Sequence, residues 1–247
     1  MAPPIPRTKI VCTLGPASSS ESVIRSLMQS GLDVARINFS HGTHEEHAAT
    51  IALVRAVAAK LSRPVAILGD LQGPRIRIGD LAEPLELETG DDIVLAPEGE
   101  GAPGDVPVTY EALAVDVHVG DRILMDDGLI DLVVLDVTGV RVRARVVHGG
   151  RLRSHKGINL PGVAVSAPSI TEKDRADIIF AVEQQLDYLA LSFVRRAEDI
   201  SSLRLLIPAG MLVVAKIEKD TALAAIGSIV EASDAVMVAR GDLGVEL

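Results

Sequence analysis

The chain has 247 residues with a hydrophobic content of 48%, enough to bury a sizeable core as one large domain or two ordinary ones. Aromatics are 2% and Trp is missing, so that core must be aliphatic, as suits buried parallel strands. A formal net charge of −10 argues against a general nucleic-acid binder, which would present a basic face.

Along the chain, short apolar runs alternate with helical patterns. Lys9–Leu14 is the first run. Ser18-Ser19-Ser20-Glu21 then opens a helix whose apolar face is expected to carry Val23, Leu27 and Met28. Asp33–Phe39 is the second run. Thr43–Leu61 is a second helix, with Ile51, Val54 and Ala58 on one side. Val65–Leu68 is the third run.

From about Arg75 to Val163 the pattern changes to period-two alternation and turn dipeptides, such as Asp127-Gly128 and Gly149-Gly150, and no helix is expected there. The α/β pattern then resumes. Thr171-Glu172-Lys173-Asp174 opens a helix carrying Ile178, Ile179 and Val182, and the runs Asp187–Leu191, Met211–Ile217 and Asp234–Val238 follow. The reading is a TIM-type (β/α) barrel wall of about six of eight strands, from residues 1–74 and 164–247, with an all-β domain inserted over 75–163.

Polar and charged residues follow the apolar runs: Asn38 and Ser40, Asp70, Ser192, Lys216 with Glu218, and Arg240 with Asp242. In a (β/α) barrel the C-terminal strand ends share one face, where catalytic groups collect. Lys216 and Glu218, two apart, can point into one site. A carboxylate from each of two strands suffices as protein ligation for Mg²⁺, which keeps waters and takes substrate oxygens. A Lys beside them supplies positive charge for phosphoryl transfer.

Other features carry two readings each. Arg141, Arg143, Arg145, Arg151, Arg153 and Lys156 form a basic island that is either a lid contact for phosphates or a solvated face. Asp126-Asp127-Gly128 is either a metal pair or a hairpin turn. His41, His44 and His47, three apart, invite zinc, but no Cys or fourth ligand stands near in the sequence. No Walker A loop is present, so P-loop nucleotide binding is not expected. Cys12 is the only cysteine, and no apolar stretch approaches the roughly 18 residues of a membrane span, so a soluble cytoplasmic protein is expected.

The stretches Thr8–Ser18, Ala35–Gly42, Gln72-Gly73-Pro74 with Ile76-Arg77, Lys156–Gly162, Ser192–Arg195 and Met237–Glu246 together resemble pyruvate kinases, in family order across nearly the whole chain. The resemblance implies a phosphotransferase of glycolysis that converts phosphoenolpyruvate and ADP to pyruvate and ATP with Mg²⁺ or Mn²⁺. It implies that Lys216 stabilises the phosphoryl group in flight, that Arg36 binds it, and that Glu218 and Asp242 hold the metal. Gly241 and Asp242 would meet the substrate carboxylate side, and Arg77, Lys156 and His41 the nucleotide. Asn38, Ser40, Asp70 and the carbonyl of Leu71 match the family's monovalent-cation site. Arg75 stands where K⁺-dependent members carry Glu and independent ones Lys, so Arg75 is expected to replace the ion. The inserted domain would be the family's mobile lid.

The loop Lys219-Asp220-Thr221-Ala222 departs from the family's acidic-Gly turn. Family members continue beyond the sixth strand with two more strands, a Thr-bearing substrate loop and a domain for homo-oligomerisation. Residues 1–247 alone are therefore expected to be inactive. Two other readings stand beside this one: a metal-dependent pyruvate–enolate barrel enzyme such as an aldolase, and a non-catalytic remnant. No nucleic-acid or membrane partner is expected.

Overall fold

The computed structural model describes residues 8–247. The first segment runs β1 (Ile10–Leu14), α1 (Glu21–Gln29), β2 (Leu32–Asn38), α2 (His44–Lys60) and β3 (Ala66–Asp70). A nearly all-β segment follows: β4 (Leu85–Leu87), β5 (Asp92–Pro97), β6 (Val106–Val108), α3 (Leu113–Asp116), β7 (Arg122–Met125), β8 (Ile130–Thr138), β9 (Arg141–His148), β10 (Gly150–Leu152) and β11 (Ile158–Asn159). The chain then returns through α4 (Glu172–Glu183), β12 (Tyr188–Leu191), α5 (Ala197–Arg204), β13 (Leu212–Ile217), α6 (Asp220–Ala224), α7 (Ile226–Ala232), β14 (Ala235–Val238) and α8 (Arg240–Glu246).

The strands of the two α/β segments form one parallel sheet in the order β1-β2-β3-β12-β13-β14. β3 pairs with β12, so the sheet passes over the inserted segment without a break. This is the curled wall of an α/β barrel, in six strands. The insert forms its own six-stranded sheet, β11-β7-β8-β9-β5-β6, and a small β4-β10 pair. Each unit closes around its own aliphatic core: Ile24, Ile37, Ile67, Leu189 and Val213 in one, Leu95, Ile123, Leu132 and Val142 in the other. No helix of the described residues is long and apolar enough to cross a membrane.

Side-chain caps set the helix starts. Ser20 accepts from Val23 N–H ahead of α1. Thr43 with Glu46, and Thr171 with Asp174, form reciprocal capping boxes ahead of α2 and α4.

Three expected helix faces are rotated from the sequence reading. In α1 the buried residues are Ile24 and Met28, while Val23 is exposed. In α2 Val57 rather than Ala58 completes the buried stripe of Ile51 and Val54. In α4 Ile178, Phe180 and Ala181 are buried and Ile179 is 61% exposed. Val23 and Ile24, Val57 and Ala58, and Ile178 and Ile179 are adjacent apolar pairs, and since neighbours on a helix differ by about 100° in direction, one of each pair is turned further into the core. The insert also holds the helical turn α3, where no helix was expected.

Candidate active site

The C-terminal ends of β2, β3, β12 and β13 bring their polar residues together around Lys216. Its Nζ lies 2.7 Å from Ser192 Oγ, 3.0 Å from Glu218 Oε1 and 3.2 Å from Asp70 Oδ1. All four groups are buried, with Lys216 6% exposed and Asp70 1%. An isolated buried ammonium or carboxylate would be prohibitive, so these charges persist only as a mutually compensated set.

Asp70 is shared. Its Oδ2 accepts from Arg36 Nε at 2.7 Å and also pairs with Arg36 Nη2, while Arg36 Nη1 donates to Thr13 Oγ1. The parallel register Asn38↔Asp70 and Arg36↔Leu68 places these residues side by side. Leu71, just beyond β3, offers its carbonyl to Ser192 Oγ at 2.7 Å. Asn38 Oδ1 accepts from Ser40 N–H at 3.1 Å, closing the turn after β2.

Glu218 is held from behind as well. Its Oε2 accepts the Phe193 backbone N–H at 2.7 Å. Phe193 has φ +54°, a left-handed conformation unusual for a bulky residue, which costs on the order of 1–3 kcal/mol and persists only where the surroundings demand it. Burial pushes the Glu218 carboxyl above the ordinary range and the nearby Asp242 adds to this; the charge of Lys216 and the Phe193 N–H oppose it.

Asp242, in the first turn of α8, has no hydrogen bond or ion pair among the described residues. Glu218 follows β13 and Asp242 follows β14, so two neighbouring strand ends each carry a carboxylate. Hard carboxylate oxygens at neighbouring strand ends suit a Mg²⁺-like cation that draws its remaining ligands from water and substrate. Among the described residues no group of three or more His, Cys, Asp or Glu gathers. Gly241 precedes Asp242, and the space where its Cβ would stand is open, so backbone can approach a ligand there.

Between the barrel end and the inserted sheet lies a cleft of about 230 Å³. Arg75, Arg77, Lys156 and Arg195 line it, with Asp126, Asp127 and Asp242 opposite in charge. Phe193 also lines it, so Glu218 is one residue behind its wall. Lys156 Nζ meets Asp126 Oδ1 at 2.8 Å. Arg75 is exposed on the rim; the cations that contact Asp70 among the described residues are Arg36 and Lys216. His41 is exposed on the turn after β2 and does not line the cleft.

The features with two readings resolve locally. Asp126-Asp127-Gly128 is the tight turn between β7 and β8, with φ of +52°, +56° and +83°. Arg141 pairs with Asp105, and Arg143 and Arg145 with Asp92, on an exposed strand face. Of the spaced histidines, His44 pairs with Asp177 and stacks on Phe180, and His47 packs edge-on against Phe39.

Some participants carried no clear signal. Ser192 was visible as a polar residue after an apolar run, but not as a partner of Lys216. Glu246, Lys219 and Asn159 converge on one another, Asn159 Nδ2 donating to Glu246 Oε1 at 2.8 Å and Lys219 Nζ meeting the same oxygen. They are far apart in sequence, and nothing local marks them.

Fold and site together define an α/β-barrel enzyme framework with a carboxylate–lysine centre beneath an inserted β unit. A family model described as pyruvate kinase, barrel domain, matches residues 5–247. Pyruvate kinases of Staphylococcus aureus strains USA300, NCTC 8325 and bovine RF122 are each 47% identical to the chain over 248 aligned positions. The alignments cover 98% of this chain and 42% of each relative, so the chain spans well under half the length of the relatives it matches. The chain belongs to the pyruvate kinase barrel-domain family.

Proposed function

We propose that this site transfers a phosphoryl group between phosphoenolpyruvate and ADP, giving pyruvate and ATP. The observation that carries the reading is the buried Lys216 ammonium bracketed by Glu218 and Asp70, with the Asp242 carboxylate from the neighbouring strand end lining the cleft. Phosphoryl transfer asks little covalent chemistry of a protein and much positive charge held in place.

In this reading Lys216 and Arg36 face the migrating group. Asp70 holds both cations in position, and both are within a hydrogen bond of it. Glu218 and Asp242 hold a divalent cation, which when bound neutralises developing charge on the phosphoryl oxygens. Gly241 and Asp242 meet the carboxylate side of the substrate, where the open space at Gly241 lets backbone approach. Arg77 and Lys156 take the nucleotide phosphates from the lid side of the cleft, with residues 75–163 as the lid that excludes water. His41 enters the nucleotide assignment only by family position. Asn38, Ser40, Asp70 and the Leu71 carbonyl form the monovalent-cation site, with the Arg75 charge on the rim in place of the ion. A glycolytic role implies a cytoplasmic setting, and homo-oligomers would form through parts of the relatives that this chain does not span.

An aldolase-type enzyme would share Glu218 and Asp242 without needing Lys156 or the lid. A coupled assay of the protein at its full natural length decides. ADP-dependent release of pyruvate from phosphoenolpyruvate is expected. Release without ADP, or binding without turnover, would overturn the reading.

A further inference from the structure

We propose that Ser192 is a positioning residue, which aims the Lys216 ammonium by anchoring it to the backbone carbonyl of Leu71. The inference rests on the role given to Lys216 above and goes one layer behind it.

The direction of the hydrogen-bond chain is fixed by chemistry. A carbonyl only accepts and an ammonium only donates, while a hydroxyl has one proton and two lone pairs. The Ser192 proton is therefore directed to Leu71 O at 2.7 Å, with Asp70 Oδ1 a more distant acceptor at 3.5 Å, and a lone pair is turned to Lys216 Nζ at 2.7 Å. Ser192 is 2% exposed, so no bulk water competes for either bond. Leu71 itself is held by its own N–H, which donates to Ala190 O at 3.0 Å across β3 and β12. The anchor is thus a sheet position rather than a loose loop.

Lys216 has three protons and three partners: Ser192, Glu218 and Asp70. The two carboxylates are shared with other cations. Asp70 is also bound by Arg36, and Glu218 is one of the pair assigned to a divalent cation. When a phosphoryl group enters, those carboxylate bonds can be exchanged for it. Ser192 is neutral and claimed by no other cation, so its bond keeps the ammonium in place while the others change. The next residue, Phe193, gives its N–H to Glu218. One two-residue corner at the end of β12 therefore positions both the lysine and the carboxylate.

The test is a set of substitutions in the protein at full natural length. Ser192→Cys keeps nearly the same shape but loses the strong hydroxyl bonds, Ser192→Ala removes the group, and Ser192→Thr retains a hydroxyl. Because misplacement by about 1 Å at a reacting centre can cost on the order of 100-fold, kcat should fall by about 10–100-fold in the Cys and Ala variants, with KM for phosphoenolpyruvate little changed. Ser192→Thr should recover most of the loss, and melting temperatures should not track activity. Equal kcat in the Cys, Ala and unmutated proteins, or a loss in KM alone, would overturn the proposal. A crystal structure of Ser192→Ala gives an independent reading. Lys216 Nζ displaced from Leu71 supports the anchor, and Nζ unmoved refutes it. This arm decides even if the unmutated protein releases no pyruvate, an outcome that would fail the functional reading instead.

Discussion

Asn159, in the inserted sheet, donates from Nδ2 to Oε1 of Glu246 in the last helix at 2.8 Å, so one hydrogen bond ties β11 to α8 across the cleft. Lys219, the residue after Glu218, meets the same oxygen, while Glu246 Oε2 is buried without a partner among the described residues. The inserted unit is thereby linked to the loop that follows β13.

Asn159→Asp would set a second carboxylate against the buried Glu246 at a half-buried position on the cleft wall. The loss of a hydrogen bond to a charged group plus repulsion should cost about 2–4 kcal/mol in the closed arrangement. Amide hydrogen exchange around residues 155–163 should quicken by at least about tenfold while β2 and β13 are unaffected. Unchanged exchange would show that this contact does not hold the lid.

The paired carboxylates predict a divalent-cation site. Glu218→Gln and Asp242→Asn should each weaken Mn²⁺ binding by at least about tenfold, since even partners behind metal ligands are worth that much. Titration followed by the Mn²⁺ electron paramagnetic resonance signal measures it directly. Wild-type affinity in both variants would remove the assignment.

Potassium is the third case. The described cations that contact Asp70 are Arg36 and Lys216, while Arg75 adds a permanent charge on the rim of the cleft, whose lining does not include Asp70. A guanidinium stays charged at any working pH. Turnover in K⁺-free buffer, with a bulky organic cation holding ionic strength, is expected to match that with K⁺, and Arg75→Glu to create a K⁺ requirement. Strong activation of the unmutated protein by K⁺ would contradict this.

The barrel wall was legible because buried parallel strands write themselves as aliphatic runs, and the polar residues closing them stood out by position. Lys216 and Glu218 could be paired by strand periodicity alone. The helix faces were less legible: Val23 beside Ile24, and Ile178 beside Ile179, leave the choice to packing against the sheet. The short α3 lacked the length for a periodic signal. Least legible were contacts between distant segments. Ser192 and Lys216 are 24 residues apart, and Asn159 and Glu246 are 87 apart. Such pairs are set by strand order and by the docking of the insert, and neither leaves a local pattern.

The most direct test of the account is Lys216→Met in the protein at full natural length, assayed for ADP-dependent pyruvate release beside Mn²⁺ binding. A charge aimed at the migrating phosphoryl group acts mainly in the transition state. The account predicts that kcat falls by about 1,000-fold or more, at or beyond the upper end of the cost of losing one preorganised electrostatic group, while Mn²⁺ and phosphoenolpyruvate still bind. Turnover close to that of the unmutated protein, or a change confined to KM, would contradict it.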